Sequence, residues 1–247
     1  MPNQPRFSRI LLKISGEAFA APGGFGLERA AFDRVAAEIA DVARLGVQVA
    51  VVPGGGNFFR GARFAEELGL NRATADYMGM LGTVLNAIAL QEALARAGRE
   101  TRVLSALAVQ RVAEMFDRHK ALRWLEQGRV VILAAGTGNP HVTTDSCAAL
   151  RAVELEANVL LKATKVDGVY DDDPARNPHA KRFDTVTYDQ VIDGRLRVMD
   201  IAATDICQQY AMPVIVFNFF DAGAMRRLAL GERLGTYMGP AAGPGPR

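Results

Sequence analysis

The sequence predicts an α/β sandwich, and three observations carry that prediction. Short apolar runs recur along the chain, stripes at helical spacing lie between them, and glycine-containing turn segments follow several of the runs. The runs occupy residues 9–14, 47–52, 101–104, 130–135, 159–161 and 214–217. A strand wetted on one side alternates apolar and polar residues, so nearly unbroken runs fit parallel strands covered by helices on both faces.

Taken in order, the run 9–14 is interrupted by one charge, Lys13. Residues 27–45 then place Phe32, Val35, Ala36, Ile39, Val42 and Ala43 on one helical stripe, which Gly46 ends. The run 47–52 empties into Pro53 and three glycines. Residues 74–97 repeat the helical pattern through Tyr77, Leu81, Val84, Leu85 and Ile88, and stop at Gly98. A shorter helix over 117–127 closes at Gly128 and leads into the run 130–135. Thr143, Thr144 and Asp145 offer N-cap side chains before an apolar pattern resumes at Cys147 and Leu150. Thr187-x-x-Gln190 has the form of a capping box.

A chain of 247 residues can bury roughly three quarters of its unfolded surface in one large domain. No repeat or Pro/Gly-rich linker divides it, so one domain is expected over 9–238, with a flexible N-terminus (1–8) and a disordered Gly/Pro-rich tail (239–247). Half the residues are apolar and the formal net charge is only +2, which describes an ordinary soluble protein. No basic stripe with interleaved aromatics points to nucleic acid. Cys147 and Cys207 are too few for a disulfide framework and fall in apolar patterns, so reduced thiols and a cytoplasmic location are expected. The first residues lack the apolar core of a signal peptide, and no window comes near the ~18 apolar residues of a membrane span.

Five segments carry chemistry. In residues 129–145 a buried-type strand runs into Gly136-Thr137-Gly138-Asn139-Pro140 and then into a helix start, which gathers N–H groups and hydroxyls where an anion can bind. Lys13 either snorkels to solvent from the strand's edge or presents a point charge to a phosphate at a strand's carboxyl end. Gly54, Gly55 and Gly56 let backbone N–H groups approach a ligand, with Arg60 about one helical turn further on; their place directly after a buried strand makes a mere flexible connection the weaker reading. No Walker A pattern occurs, and Gly136-x-Gly138 lacks the third glycine of a dinucleotide fingerprint. Asp76 either complements a helix dipole or accepts hydrogen bonds from sugar hydroxyls. Residues 160–174 hold Lys162, Lys165, Tyr170 and several carboxylates, which suits phosphates, a base and a metal together, or is only a solvated loop. His119, His141 and His179 stand apart without zinc-ligand spacing.

The segments KISGEAF, GGGNFFRG, DYMGML, GTGNPHVTTD and KATKVDGVYDDDP, with GFG at 24–26 and RVMD at 197–200, together resemble the bacterial uridylate kinase family of the amino acid kinase superfamily, in order from about residue 9 to 235. The resemblance implies a three-layer α/β/α sandwich on a mostly parallel sheet, with a UMP-binding half near 9–157 and an ATP-binding half near 158–238. It also implies conversion of UMP and ATP to UDP and ADP with Mg²⁺, a homohexamer, activation by GTP and inhibition by UTP. Carried over, the ATP side comprises Lys13, Ile14, Ser15, Gly16, Gly56, Arg60, Thr164, Tyr170 and Asp173. The UMP side comprises Gly55, Asp76, Thr137, Gly138, Asn139, Pro140, His141, Val142, Thr143 and Thr144. Lys13, Arg60 and Asp145 are the implied catalytic residues, with Asp145 positioning lysine and metal; Arg102 and Arg129 match activator-site positions. No direct protein ligand to the metal is assigned.

This chain departs from the family pattern at Pro53 before the glycines, at His141 in the acceptor loop, and at Gln91 and Glu92, where some members carry an Arg-Asp pair. The rival readings are a kinase of the same superfamily acting on carbamate or acetylglutamate, and an oxyanion-binding protein without turnover. Asp76 and the TGNPHVTTD loop favour a nucleotide acceptor over the first, and the basic Lys13 and Arg60 weigh against the second.

Overall fold

Strand β1 (Arg9–Ile14) lies in the interior of the sheet, hydrogen-bonded in parallel to β2 (Gln48–Pro53) on one side and β6 (Val159–Thr164) on the other. Lys13 therefore stands near the carboxyl end of a central strand, with its side chain largely buried. A computed structural model describes residues 4–21, 23–59, 69–196 and 198–240. Within these residues the sheet runs β4-β3-β5-β2-β1-β6-β10-β11-β9. Its remaining members are β3 (Thr101–Ser105), β4 (Glu114–Met115), β5 (Val130–Ala134), β9 (Thr185–Thr187), β10 (Val214–Asn218) and β11 (Thr236–Gly239). Pairing is parallel from β4 through β10; β11 turns antiparallel to β10. Strands β7 (Val169–Tyr170) and β8 (Arg182–Phe183) form a separate small hairpin.

Two cores lie on the two faces. Leu12, Ile14, Val51 and Leu161 point toward α1 (Arg29–Arg44), α2 (Arg72–Arg96) and α7 (Ala224–Ala229). Leu11, Val52, Val131 and Leu160 point toward α3 (Arg118–Glu126), α4 (Thr144–Glu154), α5 (Tyr188–Asp193) and α6 (Ile201–Gln209). The result is the expected three-layer α/β/α sandwich. The chain adds strands on one side of β1 as far as β5 and then crosses to the other side at β6, so the order reverses at β1. Open α/β sheets bind ligands at such a reversal, outside the carboxyl ends of the strands.

Several local expectations shift. Helix α2 begins at Arg72, with the Asn71 side chain accepting from the Ala73 N–H, so Asp76 sits in the second turn and does not cap the dipole. The stripe expected to be buried on α2 is partly reversed: Val84 is buried, but Tyr77, Leu81 and Leu85 are 43 %, 47 % and 46 % exposed. Small residues at Gly79, Gly82 and Thr83 instead turn toward the loops of the sheet, where the loop at Gly55 lies directly on the helix backbone. Helix α2 is also long and apolar enough, by length and composition, to cross a membrane, contrary to expectation, although half of that window is buried within the fold. The N-terminal stretch is tied down where it is described: the Arg6 N–H donates to Ala229 O and the Ser8 N–H to Asn158 Oδ1. Strand β11 reaches Gly239, the first residue of the expected tail.

Candidate active site

Lys13 and Lys162 occupy the same register on neighbouring parallel strands and point to the face that α4 covers. Two ammonium groups so close repel unless an anion lies between them. Asp145, in the first turn of α4, supplies it: Lys13 Nζ lies 2.8 Å from Oδ1 and Lys162 Nζ 2.5 Å from Oδ2. The three side chains are only 13 %, 10 % and 16 % exposed, in the order Lys13, Lys162, Asp145. Burial pushes the Asp145 carboxyl up, but the two lysines outweigh it and hold the group below the usual carboxylate range. For Lys162 burial is the largest influence and pulls its ammonium below the ordinary 10.5, despite Asp145. The Lys13 contact is an ion pair without an aligned hydrogen bond, which leaves Asp145 Oδ1 with acceptor capacity to spare.

The head of α4 is fixed from a second direction. The Thr143 hydroxyl accepts from the N–H groups of Asp145 and Ser146 and donates to Asp200. Asp200 also accepts from the Ser146 hydroxyl at 2.8 Å and caps α6 through the Ala203 N–H at 2.8 Å. Thr143 is thus the N-cap the sequence suggested, engaged with protein groups.

Two cavities lie near this triad: Lys13 and Lys162 line one, and Thr144, the chain neighbour of Asp145, lines the other. The larger, about 300 Å³, is lined by Lys13, Ile14, Ser15, Lys162, Thr164 and Phe220 among others, and is crossed at its rim by the 2.5 Å Glu17–Lys165 ion pair. Its volume falls at the lower end of small-molecule sites, about 300–1,000 Å³. Gly16 has no room for a side chain: an added Cβ would lie 2.5 Å from Gly56 N and 2.9 Å from Gly54 O. The loops after β1 and β2 therefore touch backbone to backbone.

The smaller cavity, about 150 Å³, is lined by Gly55, Gly56, Asp76, Gly136, Val142 and Thr144, among others. A Cβ on Gly55 would meet Gly79 O at 2.5 Å, so this loop also lies directly on α2. Asp76 accepts from the His141 N–H at 2.8 Å and from Arg72 Nε at 2.9 Å. Burial would raise its pKa, but those donors outweigh that effect and lower it. His141 has a φ of 67°, a left-handed conformation, and its ring is largely exposed. Thr137 accepts from the Asn139 N–H at 3.3 Å within the loop; Thr137, Gly138, Asn139, Pro140 and His141 are not among the groups lining the cavity.

The other expected site residues are dispersed. Gly56 lies on the wall of the smaller cavity, where ATP contact had been expected. The Tyr170 hydroxyl donates to Asp167, and Asp173 caps the following turn through the Ala175 N–H; neither lines the larger cavity. Arg102 and Arg129 share the Glu100 carboxylate, at 3.2 Å and 3.0 Å, near the amino ends of β3 and β5 and so at the opposite end of the sheet. Arg60 and Arg197 lie outside the described residues. Among the described residues no three His, Cys, Asp or Glu side chains gather, and both Asp145 oxygens face ammonium groups. These residues do not form a Mg²⁺ cage of their own.

Two participants, Asp200 and Thr83, had no place among the expected site residues, whereas Lys162 was singled out in the segment 160–174 without its partner. Lys162 interrupts its apolar run as Lys13 does, VLLKAT against RILLKI, so the signal was present. Asp200 had an N-cap signal before α6 but nothing to link it to α4. Thr83, whose hydroxyl accepts from the Ala135 N–H at 2.7 Å, is silent in sequence.

A family model described as the amino acid kinase family matches residues 8–218. Among solved structures, the chain is similar to a UMP kinase from Bacillus anthracis, with 39% identity, TM-score 0.92, and 96% of this chain and 97% of that one covered. It is also similar to a UMP kinase from Ureaplasma parvum, with 34% identity, TM-score 0.88, and 95% and 99% covered. A uridylate kinase from Archaeoglobus fulgidus matches at 29% identity, TM-score 0.72, with 93% and 99% covered.

Proposed function

We propose that this chain, which belongs to the amino acid kinase family, is a UMP kinase that moves the γ-phosphoryl group of MgATP to UMP, giving UDP and ADP. The observation that carries the reading is Asp145 held between Lys13 and Lys162, with one cavity lined by both lysines and a second lined by the adjacent Thr144. We assign the larger cavity to the donor and the smaller one to the acceptor, because Lys13 and Lys162 line the first and Asp76 lines the second.

The chemistry asks little of a general base, because the phosphate of UMP is already an oxyanion at neutral pH. What it requires is two anions brought together in line and charge compensated on the moving phosphoryl group. Lys13 and Lys162 supply fixed positive charge, and Asp145 keeps them in place while neutralising part of their repulsion. Gly54, Gly55 and Gly56 allow close backbone approach, and Asp76 is the acceptor-side carboxylate for the ribose. Arg60 is assigned to the transferring phosphate. The metal enters as part of the MgATP substrate.

Regulation by GTP and UTP, a homohexameric assembly and a cytoplasmic location belong to the same proposal. The exposed Tyr77, Leu81 and Leu85 stripe on α2 supports burial against another subunit. The Arg102–Glu100–Arg129 group supports an anion-responsive site away from the chemistry.

The deciding experiment mixes purified protein with MgATP and, in separate reactions, UMP, CMP, dUMP, carbamate or acetylglutamate, and follows ADP release. UMP is expected to give the fastest release. Strong release with CMP but not UMP would overturn the specificity, and none with any acceptor would favour an oxyanion-binding protein.

A further inference from the structure

Asn86 sits in the middle of α2 with no solvent exposure, where a polar side chain is costly unless every hydrogen-bonding group is used. Here they are used on one target. Asn86 Nδ2 donates to Gly54 O at 2.7 Å and to Asn57 Oδ1 at 2.7 Å, and Asn86 Oδ1 accepts from Asn57 Nδ2 at 2.9 Å. Asn57, only 2 % exposed, donates its second amide hydrogen to Gly26 O at 2.8 Å. The amide orientations follow from chemistry, since the backbone carbonyls of Gly54 and Gly26 only accept.

Gly54 is held from both ends. Its N–H donates to Ile14 O at 2.8 Å, and its carbonyl receives Asn86. Gly55 and Gly56 come next in the chain and line the smaller cavity; Gly56 N also lies against Gly16 of the donor-side loop. Three glycines in a row have no side chains to fix their geometry, so their precision must come from elsewhere. A misplacement of about 1 Å can cost about a hundredfold in rate.

We infer that Asn86 is a positioning residue for phosphoryl transfer: it sets Gly54 and, through it, the placement of Gly55 and Gly56 between the two substrates. It touches neither substrate. The inference rests on the proposed kinase function for its kinetic expression, but its structural half is independent of the substrate.

The experiment uses the full chain and the variant Asn86→Leu, which keeps the branching of the side chain, though it is bulkier, and cannot form these bonds. Steady-state kinetics with MgATP and UMP are normalised to the folded fraction by circular dichroism, and amide hydrogen exchange is read at Gly54, Gly55 and Gly56. The expected result is a kcat at least about tenfold lower with both KM values within about threefold. Exchange at the three glycines is expected to be at least about tenfold faster, with β1 unchanged. Should the leucine variant fail to fold, Asn86→Ala carries the same expectation. A kcat within about threefold of wild type, or unchanged exchange at the glycines, would overturn the inference. A wild type that phosphorylates no acceptor would remove the proposed function, and the exchange measurement would then decide the positioning role by itself.

Discussion

Lys13 and Lys162 are direct register partners on adjacent parallel strands, and Asp145 lies between their ammonium groups. The arrangement is stable only as a threesome, because each member compensates a cost that the others create. Removing Asp145 as Asp145→Asn is expected to destabilise the fold by about 3–5 kcal/mol, the usual cost of leaving buried charges without their partner. Adding Lys162→Met to that variant is expected to restore part of the stability and none of the activity. Urea unfolding and ADP release check the two halves; full recovery of turnover in the double variant would contradict the assigned roles.

Lys13→Ala is expected to lower kcat by about a hundredfold or more while the UMP KM moves by less than about threefold, since its charge acts on the moving phosphoryl group. Near-normal turnover in this variant would take Lys13 out of the mechanism.

The pH dependence of stability has a definite sign. The folded pKa of Asp145 is depressed, so its contribution is present above the unfolded value, about 3.9. It is lost as pH falls through the still lower folded value. The stability difference between wild type and Asp145→Asn, from urea titrations at several pH values, is expected to be constant near neutrality and to shrink in acid below about pH 3.9. Lys162 acts oppositely: its depressed pKa means that burying the ammonium costs stability at neutral pH, a cost relieved as pH rises through its folded value.

Asp76 bridges α2 and the acceptor loop through the His141 N–H. Asp76→Ala is expected to raise the UMP KM by about tenfold or more with a smaller change in kcat, because the acceptor seat loosens while the lysines stay in place. An unchanged KM would show that the bridge does not bear on acceptor binding.

Burial pushes the Cys147 thiol up to about 11 and the Cys207 thiol up to about 12. Neither forms thiolate near neutrality, so a thiol-specific reagent at pH 8 is expected to leave the native protein unlabelled and fully active, and to label both residues after denaturation. Rapid labelling with loss of activity in the native state would contradict this.

The elements most legible in the sequence were those with a period long enough to count. Strand β1 matched its predicted bounds, and α1 and α3 came within two residues of theirs, because apolar patterning agrees there with a closing glycine after each helix and, for α3, with the Asp117 cap. Strands β4, β7, β8 and β9 have only two or three residues, too few for any alternation to register. The buried face of α2 was misjudged because the helix is apolar nearly all round, and small residues rather than large ones face the loops. In the site, a charge inside an apolar run marked Lys13 clearly. Partners such as Asp76 with His141, or Thr83 with Ala135, are joined only by the fold and leave no local trace.

The place of β1 in the sheet also bears on how the protein is made. Its second neighbour, β6, is about 150 positions away in the chain, and parallel pairing over such a separation is slow to form. During synthesis the first half emerges with one flank of β1 still bare, a sticky edge that a chaperone can shield. Lys13 and Asp145 belong to that first half and Lys162 to the second, so a nascent or truncated chain lacking β6 has no complete triad. On the proposed mechanism, catalysis begins only when β6 has docked, and the onset of turnover serves as a clock for that step.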